Sequence, residues 1–409
     1  MALRRSVSTF RVPTTPHAYW KRIPVWSSVS EDEFISYEWQ TKNSVHSANQ
    51  LFKFMKPLLP DSFPRENALS PTTAEELVGD VVSGIKLAPM ATRITPHVLS
   101  LINWSDPLHD PLLRQFIPLK SRRCPDHPKV TLDSLSETDD SPVKGQVPDT
   151  DSLSKTRFLP IMKKWETMFN YIKNTPSLVD ILISGGDSYT LTPDQMRMIG
   201  MRLLEMPHIE RIRIASKGVA ICPSRLIDPR DEWTKVLIEL SHRGRKMGKS
   251  VALHTHFNHP HEITWITQKA ARRLFEEGVT VRNQTVLLRH VNNDVDTMRS
   301  LIKQLAAMNV QPYYVFQCDM VRGVEDMRTP LHEILTLESM IRGSTAGFMT
   351  PNFVVNLPGG GMKRLACSYE SYDRTTGRST FLSPGSKDGT RQWEYWDPLY
   401  SLPQPGELQ

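Results

Sequence analysis

The chain has 409 residues, 39% of them hydrophobic and 23% charged, with a formal net charge of +6. That length suits one large α/β domain with extensions, or two domains. No apolar run reaches the length of a membrane span, and Lys and Arg are spread along the chain, so neither a membrane helix nor a nucleic-acid partner is expected.

The first thirty residues carry Arg4, Arg5, Arg11, Lys21 and Arg22, with no acid before Glu31. They read either as a mitochondrial transit segment or as the unstructured terminus of a cytoplasmic chain. Residues 31–121 are helical in character, and residues 74–102 read as helix, Pro break, helix. Residues 122–154 are rich in Ser, Asp, Thr and Pro and read as a loop or linker.

Residues 155–363 alternate regularly. Strands are predicted at 179–184, 209–215, 250–257, 279–288, 311–318 and 353–356. Helices are predicted at 157–174, 193–205, 232–246, 263–276, 294–307 and 331–341. Repeated βα units imply parallel strands with right-handed crossovers. Polar loops follow several strands directly, which favours an open or partial barrel with its site at the strand C-termini. Residues 364–409 form a C-terminal extension.

Four motifs carry chemistry. Gly185, Gly186 and Asp187 end a buried strand, where bare backbone and one carboxylate can hold a small polar ligand; an ordinary βα turn is the alternative. His254 and His256 lie two apart on a strand and share a face. With His259, His261 and Glu262 just beyond, they read as a zinc-type site, as a cofactor contact through His256 and Asn258, or as satisfied histidines before a capped helix. Arg282, Asn283, Gln284 and Thr285 interrupt an apolar strand and must be paired or bind a ligand, with Gln284 directed into a barrel lumen. Pro358, three glycines and Met362 then present Lys363. A lysine so placed can form a Schiff base with an aldehyde such as pyridoxal phosphate, or can simply be solvated. The cysteines, Cys124, Cys222, Cys318 and Cys367, form no CxxC and read as structural thiols in a reducing compartment.

Taken in order, these motifs resemble the lysine 2,3-aminomutase family of radical S-adenosylmethionine enzymes. The resemblance runs from Asp106 to Lys363 through DPLHD (106–110), DSPVKG (140–145), ISGGD (183–187), THFNHPHE (255–262), NQTVLL (283–288), YYVFQCDMVRG (313–323) and LPGGGMK (357–363). It implies a partial (β/α)6-type, TIM-like barrel with an N-terminal helical region. It also implies 1,2-amino migration on an amino acid, with pyridoxal phosphate, S-adenosylmethionine and a [4Fe–4S] cluster as cofactors. By the same resemblance Lys363 carries the pyridoxal group. Gly185, Gly186, Asp187, His256 and Gln284 contact S-adenosylmethionine, and Asp319 and Asn356 face the distal end of the substrate. A homo-oligomer is compatible with this reading.

The chain departs from the family pattern at three places. Asn356 stands where the family has a second aspartate, and Phe316 where it has a tyrosine. A larger departure follows Gly145: residues 146–154 lead straight into a helix, where the family has a first barrel strand and a CxxxCxxC loop. Cys124 lies outside that block and cannot replace three thiolates, so no metal ligand is assigned. The expected barrel therefore lacks its first strand, leaves an exposed edge and opens its lumen to water. The resemblance implies an aminomutase-type chain that is inactive or truncated. A metal-dependent hydrolase using His254 and His256, or a non-catalytic pyridoxal-binding protein keeping Lys363, are the alternatives.

Overall fold

A computed structural model of the protein describes residues 16–64, 71–88, 92–135, 158–184, 187–386 and 389–403. Ten strands are seen among them: β1 (Asp180–Ile183), β2 (Arg211–Ala215), β3 (Ser250–Thr255), β4 (Thr280–Leu287), β5 (Gln311–Gln317), β6 (Asn352–Asn356), β7 (Lys363–Leu365), β8 (Tyr369–Asp373), β9 (Arg378–Leu382) and β10 (Gln392–Trp396). The first seven form one curled sheet in sequence order, and β8–β10 form a separate three-stranded antiparallel sheet.

Strands β1 to β6 pair in parallel, each with the next. Helices fill the crossovers at Pro193–Leu204, Trp233–Lys246, Trp265–Glu276, Val295–Ala307 and Leu331–Ile341. Their starts follow from sequence. Thr192 and Gln195 make a reciprocal capping box ahead of Pro193, and the Asp294 carboxylate caps the helix at Val295–Ala307. The sheet is a partial TIM-like barrel, as the repeating βα pattern implies. β1 is its edge strand and pairs only with β2 among the described residues. Leu182, on the lumen face of that edge, is 47% exposed, the cost of a barrel that does not close.

The other edge differs from the sequence expectation, which ends the barrel at β6. The chain turns back after Asn356 and adds β7 antiparallel to β6, pairing Asn356 with Lys363. The turn is closed by the Met362 carbonyl, which accepts from the Leu357 N–H at 2.9 Å. Gly359 and Gly360 take φ of +66° and +88°, which residues with a Cβ rarely adopt. Gly361 is packed instead: a Cβ there would stand 2.5 Å from the Leu357 Cβ and 2.7 Å from the Trp393 ring. Replacing Gly361 with Ala is expected to cost about 1–3 kcal/mol, the usual range for overpacking. Urea denaturation measures it, and an unchanged midpoint would contradict the packing.

Two large apolar cores stand side by side, with a small third cluster of Leu288, Val291 and Cys318. One runs through the barrel helices and strands and takes in Phe381, Trp393 and Tyr395, so the C-terminal sheet packs into the barrel core. The other belongs to the N-terminal region and includes Phe34, Leu51, Leu77, Leu99 and Leu113. Tyr19 and Trp20 are buried in that second core, with Trp20 stacked on Phe34 at 4.3 Å. Of residues 1–30, read as a possible targeting segment, residues 1–15 lie outside the described residues. Of the expected linker, residues 122–135 pack against the barrel: Thr131 bridges to Val321, and the Ser134 carbonyl accepts from the Gly359 N–H.

Candidate active site at the barrel mouth

Strand alternation decides which side chains reach the lumen. Along β4, Asn283 and Thr285 are buried while Arg282, Gln284 and Val286 are half-buried on the opposite face. The polar run that sequence left open thus divides in two. Asn283 Oδ1 accepts from the Phe257 N–H at 2.7 Å and Thr285 Oγ1 donates to the Phe257 carbonyl at 2.8 Å, which stitches β4 to the end of β3. Gln284 lies on the lumen face. A bulge at Asn283/Gln284 sets it opposite Tyr314 of β5, with Tyr313 as the extra residue.

At the C-terminal end of the same face, Phe316 stands opposite Val354, and Asn356 opposite Lys363. The Lys363 ammonium lies 5.8 Å from the Phe316 ring centroid. Asn356 Nδ2 donates to Asp319 Oδ1 at 3.0 Å. An open cleft of about 340 Å3 lies beside them, lined by Tyr314, Asn352, Val354, Lys363, Arg364 and Ser368 among others. Among the described residues, Arg364 Nε in its wall is buried without a hydrogen-bond partner. Lys363, Asp319, Asn356 and Phe316 are therefore neighbours. An aldehyde cofactor with a phosphate fits this cleft: the lysine is accessible, and the orphaned guanidinium nitrogen is of the kind a phosphate oxygen satisfies.

The side of the mouth near β1, β2 and β3 is held differently. Gly185 and Gly186 lie outside the described residues. Asp187 spends both carboxylate oxygens on backbone: Oδ1 accepts from the Tyr189 N–H at 2.8 Å and Oδ2 from the Lys217 N–H at 3.1 Å. It therefore ties the loop after β1 to the loop after β2. His256 follows β3, and its Nε2 meets Asn258 Oδ1 at 2.9 Å. Burial first, and then the Lys217 ammonium, push its pKa down to about 3, so the ring is neutral.

His259 and Glu262 form a capping box ahead of the turn at Pro260–Glu262. His254 faces Arg282 in register, and burial with Arg282 and Arg213 lowers its pKa to about 4. Two guanidiniums beside it repel a cation, and among the described residues no group of three His, Cys, Asp or Glu side chains could hold a metal. The zinc-type reading of His254 and His256 thus has no donor set.

A cluster that leaves one iron open needs three thiolates, and the cysteines do not supply them. Cys222 is buried against the Ser224 hydroxyl with its thiol pushed up to about 11, and burial raises Cys318 to about 12. Cys124 is half-buried and Cys367 exposed.

Sequence reasoning missed Gln115 and Lys217, and marked Glu262 only as a neighbour of the histidines. Lys217 Nζ donates to Gln115 Oε1 at 3.1 Å, to the His256 carbonyl at 2.9 Å and to Glu262 Oε1 at 3.1 Å. Gln115 comes from the N-terminal region, at the end of the helix Pro111–Phe116. From the next position back, Arg114 donates to the carbonyls of Arg289 and Asp326. This one helix end thus clasps loops that follow β2, β3, β4 and β5. Only the DPLHD element just before Pro111 marked the region in the sequence.

The fold and site define a class: a partial TIM-like barrel whose polar groups gather at one mouth, with a lysine on a glycine-built hairpin at its edge. No family model matches the chain. It is 34% identical over 366 residues to L-lysine 2,3-aminomutase of Clostridium subterminale, covering 84% of this chain and 80% of that protein. It is 31% identical over 371 residues to L-lysine 2,3-aminomutase of Bacillus subtilis, covering 85% and 72%. A shorter match, 36% over 194 residues, is to glutamate 2,3-aminomutase of Clostridioides difficile, covering 47% and 43%. The chain belongs to the lysine 2,3-aminomutase family.

Proposed function

We propose that this chain keeps the pyridoxal and substrate half of an amino-acid 2,3-aminomutase site and lacks the radical-generating half, so that it binds without catalysing amino migration as it stands. The observation that carries this is the contrast at the mouth: Lys363 beside Phe316, Asp319 and Asn356, against cysteines that stand apart. Pyridoxal phosphate, when bound, supplies an aldehyde and an electron-withdrawing ring for a substrate amino group. The chain's own part is to present the Lys363 amine at the open cleft, with the Phe316 ring as an apolar wall. His256 and Gln284 face the lumen on the adenosyl side.

At the substrate's far end, the pairing of Asn356 with Asp319 leaves one carboxylate where two would attract an ammonium more strongly. A carboxamide hydrogen-bonds but adds no Coulombic pull. The substrate class is therefore an α-amino acid, with lysine disfavoured.

The test is reconstitution of purified protein with iron and sulfide under reducing, oxygen-free conditions. We expect no stoichiometric cluster absorbance, and no β-amino acid from lysine or glutamate after adding pyridoxal phosphate and S-adenosylmethionine. A full-occupancy [4Fe–4S] cluster with amino migration would overturn the proposal.

A further inference from the structure

The amide network behind His256 fixes which of its ring nitrogens carries the proton. The Val286 N–H donates to Asn258 at 2.9 Å, so the side-chain atom there must be the carbonyl oxygen Oδ1. The Asn258 amino group then points to Gln115, 2.6 Å away. That partner must be an oxygen, and the Lys217 ammonium at 3.1 Å from the same atom requires the same. The Gln115 amino group in turn donates to Glu262 Oε1 at 3.2 Å. Each amide orientation is thus set by a donor that cannot act as an acceptor, one a backbone N–H and the other an ammonium.

Asn258 Oδ1, so oriented, can only accept from His256 Nε2 at 2.9 Å. We infer that His256 is locked as the Nε2–H tautomer and presents Nδ1 as a hydrogen-bond acceptor for an N–H or O–H group of a bound ligand. An anionic ligand group has no donor there to meet. Among the described residues Nδ1 has no hydrogen-bond partner. The charged group bearing on the ring is Lys217, itself paired with Glu262, and it disfavours a second proton on the ring.

Asn258 and Gln115 are therefore positioning residues, and neither needs to touch the ligand. Their function is comparable to that of the partners that fix a tautomer in other histidine sites. The identity of the ligand as an adenosyl compound rests on the proposed function; the tautomer does not.

Long-range 1H–15N correlation spectra of labelled full-length protein test this, with His256 assigned by its loss in His256→Gln. We expect the Nε2-protonated pattern, unchanged from pH 5 to pH 8. Asn258→Ala should release the ring to a mixture of tautomers. Asn258→Asp, which keeps an acceptor, should retain the tautomer while raising the ring pKa. A wild-type Nδ1–H ring, titration near the ordinary histidine value, or an Asn258→Ala variant with an unchanged tautomer would each overturn the inference. Saturating S-adenosylmethionine should then move the Nδ1 shift. If it leaves that shift unmoved while the tautomer results hold, the adenosyl assignment fails and the lock stands.

Discussion

Sodium borohydride added after incubation with pyridoxal phosphate is expected to fix one pyridoxyl group per chain, on Lys363. The reasons are local. A Schiff base needs an unprotonated amine that can reach the aldehyde. Lys363 opens β7 beside a cleft of about 340 Å3, with the Phe316 ring as an apolar neighbour and no ion pair among the described residues. Lys217 is a useful contrast. It too lies near an aromatic ring, Phe116, but its nitrogen donates to Gln115, the His256 carbonyl and Glu262, which keep it engaged. It should stay unlabelled. Lys363→Met is expected to lower trapping by about tenfold or more, equivalent to at least ~1.4 kcal/mol of site preference. Peptide mapping by mass spectrometry reads the result. Labelling spread over many surface lysines, and indifferent to Lys363→Met, would remove the pyridoxal half of the proposed function.

The barrel was legible in the sequence because its strands and helices are long enough for hydrophobic period to speak. The strands predicted at 250–257 and 311–318 are found at Ser250–Thr255 and Gln311–Gln317, and the helix at 331–341 matches Leu331–Ile341. The C-terminal sheet was not legible. β8 reads YESYD and alternates poorly in burial, and β7 has three residues. Short strands whose partners come from the same hairpin carry little periodic signal. At the mouth, Lys363 could be singled out because glycines flank it in sequence. Gln115 and Lys217 could not, and Glu262 stood out only beside its histidines, because the three lie far apart in the chain and only the fold brings Gln115 within 3.2 Å of the other two. Asp187 illustrates the same limit. Its position before a helix was visible, but its tie to the Lys217 backbone was not.

Arg328→Met is expected to destabilise the protein by about 3–5 kcal/mol, the range for removing one partner of a buried ion pair. Arg328 is fully buried, and its Nη1 donates to Glu325 Oε2 at 2.7 Å, with Glu325 only 1% exposed. The other Glu325 oxygen accepts from the Leu399 N–H at 3.1 Å, and Arg328 Nη2 donates to the Trp396 carbonyl. The Tyr400 hydroxyl donates to the Arg328 carbonyl at 2.6 Å. These contacts rivet the loop after β5 to the end of β10 and the residues beyond it. Removing the guanidinium leaves the Glu325 carboxylate in a site that water does not reach, where desolvation is no longer offset. The double variant Arg328→Met with Glu325→Leu should recover most of the loss, since replacing both partners of a buried pair by apolar groups is often near neutral. Urea denaturation of the two variants decides it. A single variant losing less than about 1 kcal/mol, or a double variant no better than the single, would contradict the assignment of the cost to an unpaired charge. Because Asp319 lies near the start of the same loop, the single variant should also loosen the Asp319–Asn356 pairing, and the double variant should restore it.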